Sequence, residues 1–177
     1  MTIPSPASPP TWTITPTPVG DPAAAGLLRA YLDELISRYY GRPALEAEIL
    51  QELGDGADLS APHGVLLVAK DADAVPVGCA GLRWLSPGTG ELTRVFVAGA
   101  ARRGGGGARL LGAAERTARA HGVRQLLLNT RKDLTEAIAL YRRLGYRDTD
   151  PYGDDPYAEI WLAKPLDGGP VRPGPTA

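Results

Sequence analysis

The chain reads as an α/β protein built on one mixed, mostly antiparallel sheet of six to seven strands, flanked by about four helices. Three observations carry that reading. Between Val65 and Val97, apolar and β-branched runs follow one another across short turns, which is the pattern of an antiparallel meander. From Glu91 to Thr130 a strand, a glycine run, an Ala/Leu/Arg-rich helix and a further strand succeed each other, which calls for one parallel pair with a right-handed crossover. Ahead of both, Leu28, Tyr31, Leu32, Leu35 and Tyr39 recur at helical spacing.

In chain order, Trp12 to Thr15 is a short first strand, and Asp21-Pro22 supplies an N-cap followed by proline at the first helical position. The helix so opened is broken at Gly41-Arg42-Pro43, a second runs from about Ala44 to Leu53, and residues 54–62 form a loop. Val65 to Lys70 and Val75 to Leu85 make a hairpin around Asp71–Ala74, and the turn Ser86–Gly90 leads into the strand Glu91 to Val97. After the glycines, a helix continues to His121-Gly122, where glycine is free to take the left-handed conformation. Gln125 to Thr130 is the next strand and Leu134 to Leu144 the next helix; Tyr146 to Thr149 and Ala158 to Ala163 close the sheet.

A length of 177 residues fits one domain with a sizeable core, expected over 11–166. Residues 1–10 hold four prolines and 167–177 read DGGPVRPGPTA, so both are expected to be disordered. A net charge of -1 gives no footprint for nucleic acid or an anionic membrane. The longest uninterrupted apolar run, Val65 to Ala69, is far short of the roughly 18 residues of a membrane helix. The first residues have neither the basic start nor the apolar stretch of a signal peptide, and the single cysteine, Cys79, sits in an apolar strand and reads as core. A cytoplasmic protein is the expectation. No His, Cys or acidic cluster has metal-ligand spacing, so no metal is expected.

The chemistry centres on Arg102 to Leu111, RRGGGGARLL. A glycine turn that opens a helix leaves backbone N–H groups unpaired at the positive end of the helix dipole, where an anion fits. No lysine follows the glycines, so a P-loop fails, and no third glycine falls where a dinucleotide fingerprint needs one.

These residues resemble the signature of the Gcn5-related N-acetyltransferases (GNAT): Gln or Arg, two free positions, Gly, one free position, then Gly or Ala. Both Arg102-Gly105-Gly107 and Arg103-Gly106-Ala108 satisfy it, and the first keeps the family's gap from Val95-Phe96-Val97 and places Leu110, Leu111 and Glu115 to match. EAIALYRRLGY, from Glu136 to Tyr146, resembles the family's second block. The resemblance covers about residues 12–165.

It implies a GNAT fold in which the fourth and fifth strands are parallel and splayed. The implied co-substrate is acetyl-CoA, with its pantetheine arm between those strands along Val95, Phe96 and Val97 and its pyrophosphate on the amides of Arg102, Arg103, Gly104, Gly105, Gly106, Gly107 and Ala108. The implied activity is acetyl transfer to a primary amine of a small molecule or peptide by direct attack; a non-catalytic acyl-CoA sensor with the same fold is the alternative. Tyr141 occupies the place of the family's acid, beside a core reading for a tyrosine on that helical face. Glu91 stands where some members carry a general base, beside a reading as a carboxylate at a strand's start. On a strand Glu91, Thr93, Val95 and Val97 share one face, so Glu91 is expected to look along the same side as Val97. Leu134 replaces the asparagine that often touches pantetheine, and Asn129 is a candidate substitute. The acceptor is expected near Tyr40, Arg42 and Tyr152, with Arg42 a candidate for a carboxylate and Asp154 or Asp155 for an ammonium. A homodimer is compatible with this reading.

Overall fold

The structure is a computed structural model that describes residues 11–175; the proline-rich stretch 1–10 lies outside the described residues. Seven strands form one sheet: β1 (Thr13–Pro16), β2 (Gly64–Lys70), β3 (Pro76–Ser86), β4 (Thr89–Val97), β5 (Gln125–Thr130), β6 (Arg147–Asp148) and β7 (Ile160–Pro165), in the order β1-β2-β3-β4-β5-β7-β6. Four helices accompany them: α1 (Pro22–Tyr40), α2 (Glu46–Leu53), α3 (Gly106–Ala120) and α4 (Thr135–Arg143). The pairing is antiparallel except between β4 and β5, which run parallel across the crossover through α3. The mixed architecture expected from the sequence is therefore the one observed.

Local chemistry explains the boundaries. Asp21 Oδ1 accepts the Ala23 amide at 2.9 Å, so α1 starts where the Asp-Pro signal puts it. β6 is reduced to two residues because Tyr146, next to it, is drawn wholly into the core, where its hydroxyl donates to Glu115 Oε1 at 3.3 Å. Glu115 also accepts Lys164 Nζ at 2.7 and 2.8 Å, so a buried ion pair fastens α3 to β7.

The two faces of the sheet carry separate cores. Leu67, Leu82, Leu92, Leu126 and Leu128 point to the face covered by α3, where they meet Leu110, Leu111 and Ala114. Leu66, Val68, Cys79 and Phe96 point to the other face and meet Leu27 and Leu28 of α1. Cys79 is a core residue, as read from the sequence, and burial pushes its thiol up to about 12.

The C-terminal stretch departs from the expectation of disorder. Gln125, wholly buried on β5, donates Nε2 to the Arg172 carbonyl at 2.8 Å and accepts the Arg172 amide on Oε1 at 2.6 Å. A side-chain amide thus mimics a strand partner and holds the chain onto the sheet. The composition of 167–175 gave no sign of this, since the partner is one buried glutamine 47 residues upstream.

Candidate active site

β4 and β5 touch only at their beginnings. Thr89, Gly90 and Glu91 pair with Gln125, Leu126 and Leu127, and no further pair is made. Beyond that point β4 stays with β3 as far as Val97 and β5 stays with β7 as far as Thr130, so the sheet opens between them. The open edge of β4 leaves backbone groups able to receive an extended ligand as a strand would.

The opening is accompanied by an irregularity within β4. Cys79 opposes Phe96 but Gly81 opposes Thr93, so β4 carries one extra residue there, and Arg94 takes φ 49°. This is a β-bulge, and it reverses which side chains face which way. Leu92 before it, and Val95 and Val97 after it, all contribute to the α3-side core, whereas Phe96 joins Cys79 in the α1-side core. The expectation that Glu91, Thr93, Val95 and Val97 share a face is therefore corrected: Glu91 faces the α1 side, and Val95 and Val97 face the α3 side. A period of two fails across an inserted residue.

The glycine run sits at the far end of β4. A single 3-10 turn, Gly99–Ala101, separates it from the strand; Arg103 and Gly105 take φ 79° and 77°, and Gly105 caps α3. The first intrahelical bond runs from the Arg109 amide to the Gly105 carbonyl at 3.2 Å, so the amides of Gly106, Gly107 and Ala108 are the first-turn donors. There is no acidic residue in that turn to compete for them. A Cβ on Gly106 would stand 1.9 Å from Trp12, so glycine there is required by close packing against the residue preceding β1. Arg102 is tied back to the scaffold: its Nε donates to the Val97 carbonyl at 2.8 Å and its Nη2 to both Glu34 oxygens at 2.7 Å, with the guanidinium 5.7 Å from the Phe96 ring centroid. What this segment offers an anion is chiefly backbone.

A cleft of about 460 Å³ occupies the parting of the strands and extends under α1 and α2. Of the residues singled out from the sequence, Tyr40, Glu91, Val95, Asn129, Leu134, Tyr141 and Asp155 line it. Tyr141 enters from α4, 7% exposed, with its ring edge-on to Tyr146 at 5.8 Å. Burial raises its phenol well above the ordinary value, so it stays a protonated donor throughout the physiological range.

Glu91 is only 3% exposed and fully engaged. Oε2 accepts Arg83 Nε at 2.8 Å and also Arg83 Nη2; Oε1 accepts the Tyr152 hydroxyl at 2.9 Å and Asn129 Nδ2 at 3.4 Å. Arg83 leads on to Asp58 at 3.6 Å, which pairs with Arg94 at 2.9 Å. Charges of alternating sign thus run from β4 across β3 to the 3-10 turn Ala57–Leu59, and the left-handed bulge residue ends the row. Arg131, 7% exposed, chelates Asp133 at 2.8 and 2.9 Å and donates Nη1 to the Leu35 carbonyl at 3.1 Å, fastening the end of β5 to α1.

Three expectations change in detail. Arg42 is committed to Glu48, at 3.0 and 2.5 Å, and lies over the Tyr40 ring, so its guanidinium is not presented to an acceptor carboxylate. Tyr152 bonds to Glu91 and lines a second hollow with the C-terminal segment. Asn129 lines the cleft from β5, with Nδ2 donating to Glu91 Oε1 at 3.4 Å. Arg83, Asp58, Arg94 and Arg131 went unnoticed in the sequence, where each is an isolated charge with no motif around it.

With the geometry in place, shape identifies the fold. The fold matches an acetyltransferase of GNAT family from Staphylococcus aureus at TM-score 0.71, with 16% identity over 88% of this chain and 99% of that one. It also matches a GNAT family acetyltransferase from Elizabethkingia anophelis, solved with acetyl-CoA bound, at TM-score 0.60, with 23% identity over 87% and 97%. Sequence then gives the family: residues 28–146 match the model described as the acetyltransferase (GNAT) family, and the chain is 39% identical, over 76% of its length, to 88% of an "IAA acetyltransferase" of Azospirillum brasilense. The chain belongs to the acetyltransferase (GNAT) family and is an acyltransferase.

Proposed function

We propose that the protein transfers the acetyl group of acetyl-CoA to a primary amine of a small molecule or peptide, by direct attack within a ternary complex. The observation that carries this is that a buried, protonated tyrosine and a buried carboxylate line one cleft at the parting of two parallel strands. The residues present fit the co-substrate: first-turn amides of α3, no carboxylate among them, and a glycine whose positive φ aims the chain into the helix. Gly105, Gly106, Gly107 and Ala108 would hold its pyrophosphate through amides, with Arg102 and Arg103 supplying charge alongside. The open edge of β4 at Val95 to Val97 would take the pantetheine arm, less the Val97 carbonyl, which already accepts Arg102. When bound, acetyl-CoA supplies a thioester carbon open to attack.

The amine must lose a proton and the leaving sulfur must gain one. We assign Tyr141 as the donor. We assign Glu91 as the acceptor: its longest bond, from Asn129 at 3.4 Å, is the one an incoming amine can replace, while Arg83 and Tyr152 hold the carboxylate still. The acceptor enters beneath α1 and α2, past Tyr40. We take residues 11–166 as the catalytic domain, covered at its C-terminal edge by 167–175.

Thermal unfolding with and without coenzyme A, followed by thiol release from acetyl-CoA over a panel of primary amines, tests this. Stabilisation by coenzyme A and amine-dependent release are expected. Tight binding with no release for any amine would return the protein to the non-catalytic alternative.

A further inference from the structure

The α1-side face of the sheet is covered unevenly. α1 lies over β2, β3 and β4, where Leu27 and Leu28 meet Leu66, Val68 and Cys79. Over β5 no helix takes its place, yet Gln125 and Leu127 are wholly buried there. What covers them is the end of the chain. Arg172 is clamped by both atoms of the Gln125 amide, and Gly174 passes so close to the sheet that a Cβ on it would stand 2.5 Å from Tyr152 Cβ and 3.3 Å from Leu127 Cδ1. Tyr152 is caught between this segment and Trp161, whose ring meets it edge-on at 4.8 Å. From that position its hydroxyl donates to Glu91 Oε1 at 2.9 Å.

Resting on the role proposed for Glu91, we infer that residues 171–174 form a strap that positions Tyr152 against the catalytic carboxylate. Tyr152 is itself a positioning residue. Its loop, from Thr149 to Asp154, has no regular secondary structure of its own to fix the ring, and the strap and Trp161 supply the two walls. Burial, and then the Glu91 charge, raise the Tyr152 phenol, so it remains a donor. Arg83 on Oε2 and Tyr152 on Oε1 fix the plane of the carboxylate; without Tyr152, Oε1 is left with only the longer bond from Asn129, at 3.4 Å, and the carboxylate can pivot. The strap thereby reaches the reacting centre through one hydrogen bond while touching neither substrate.

The test compares four full-length proteins: wild type, Tyr152→Phe, Gly174→Val and the double variant. Tyr152→Phe keeps the ring and removes the donor, and Gly174→Val pushes the strap off the ring. Each single variant should lower kcat about tenfold and leave the KM for acetyl-CoA within about twofold. The double variant should be no slower than about twofold below the slower single, because both changes remove the same bond. A kcat for Gly174→Val equal to wild type, or a double variant showing the product of the two losses, would overturn the inference. Hydrogen exchange gives a readout that needs no acceptor: amides 150–154 should exchange at least tenfold faster in Gly174→Val, and unchanged exchange there also overturns it. Should wild type turn over no amine, the transfer reading falls while exchange alone still decides the strap. Gly174→Ala, a smaller intrusion, serves if the valine variant does not fold.

Discussion

The two ends of β4 lead into regions built from different materials. At the α3 end the structure is made of backbone: positive φ at Arg103 and Gly105, a glycine pressed against Trp12, and first-turn amides. At the Glu91 end it is made of side chains: Glu91, Arg83, Asp58 and Arg94 in a row of alternating charge, with Tyr152 and Asn129 completing the carboxylate. Such a division suits the two ligands a transferase has to accept. Amides bind any phosphate and need little variation, whereas side chains can be exchanged one at a time as the acceptor changes.

The contrast makes commitments that measurements can undo. Tyr141→Phe, at the junction, should slow thiol release about 10²- to 10³-fold, with coenzyme A affinity held within about threefold, as read by steady-state kinetics and calorimetry. A loss of affinity equal to the loss of rate would mark Tyr141 as a packing residue only. On the backbone side, Gly106→Val forces a side chain into Trp12 and should destabilise the fold by about 3 kcal/mol in denaturant unfolding. On the opposite side, Arg83→Met leaves the Glu91 carboxylate without its main counter-charge; because the arginine side chain is 39% exposed, about 2 kcal/mol is expected, with coenzyme A affinity untouched. The mildest is Arg102→Ala. Its pair with Glu34 is exposed on both sides, so stability should fall by less than about 1 kcal/mol and coenzyme A affinity by less than about threefold. A much larger affinity loss would mean that the arginine head, and not the amides, holds the anion.

How much could be read in advance follows the same division. The α3 end is legible because the chain announces it locally: strand, glycines and helix lie within one continuous stretch, as do Asp21-Pro22 and the Leu28 to Tyr39 stripe. The antiparallel meander of β2, β3 and β4 and the parallel pair of β4 and β5 follow from such signals. The Glu91 end is not legible because its partners arrive from separate elements in registers that small irregularities decide. A hairpin closing at Pro87-Gly88 without interruption would set Trp84 opposite Glu91, but the register shifts between Trp84 and Ser86, and it is Arg83 that faces the carboxylate. The same holds for Tyr152, whose contact with Glu91 spans 61 residues, and for the clamp of Gln125 on Arg172. Turn residues gave 167–175 the composition of a loose tail, and one buried amide outweighs it.

The bulge at Arg94 has an arithmetic consequence. Upstream of it, odd-numbered positions of β4 belong to the α1 side of the sheet; downstream, even-numbered ones do. One residue therefore works as a parity bit that switches which positions of the strand face α1. Flattening the bulge, with Arg94 kept as an ordinary strand residue, would turn Phe96 toward the α3 core and Val95 toward α1, with every side chain's chemistry unchanged, whereas deleting Arg94 would leave both on their present faces. Substitution at the position tests this: glycine suits φ 49° and should preserve the bulge, while valine or isoleucine, which resist that conformation, should press the strand toward the uninterrupted frame.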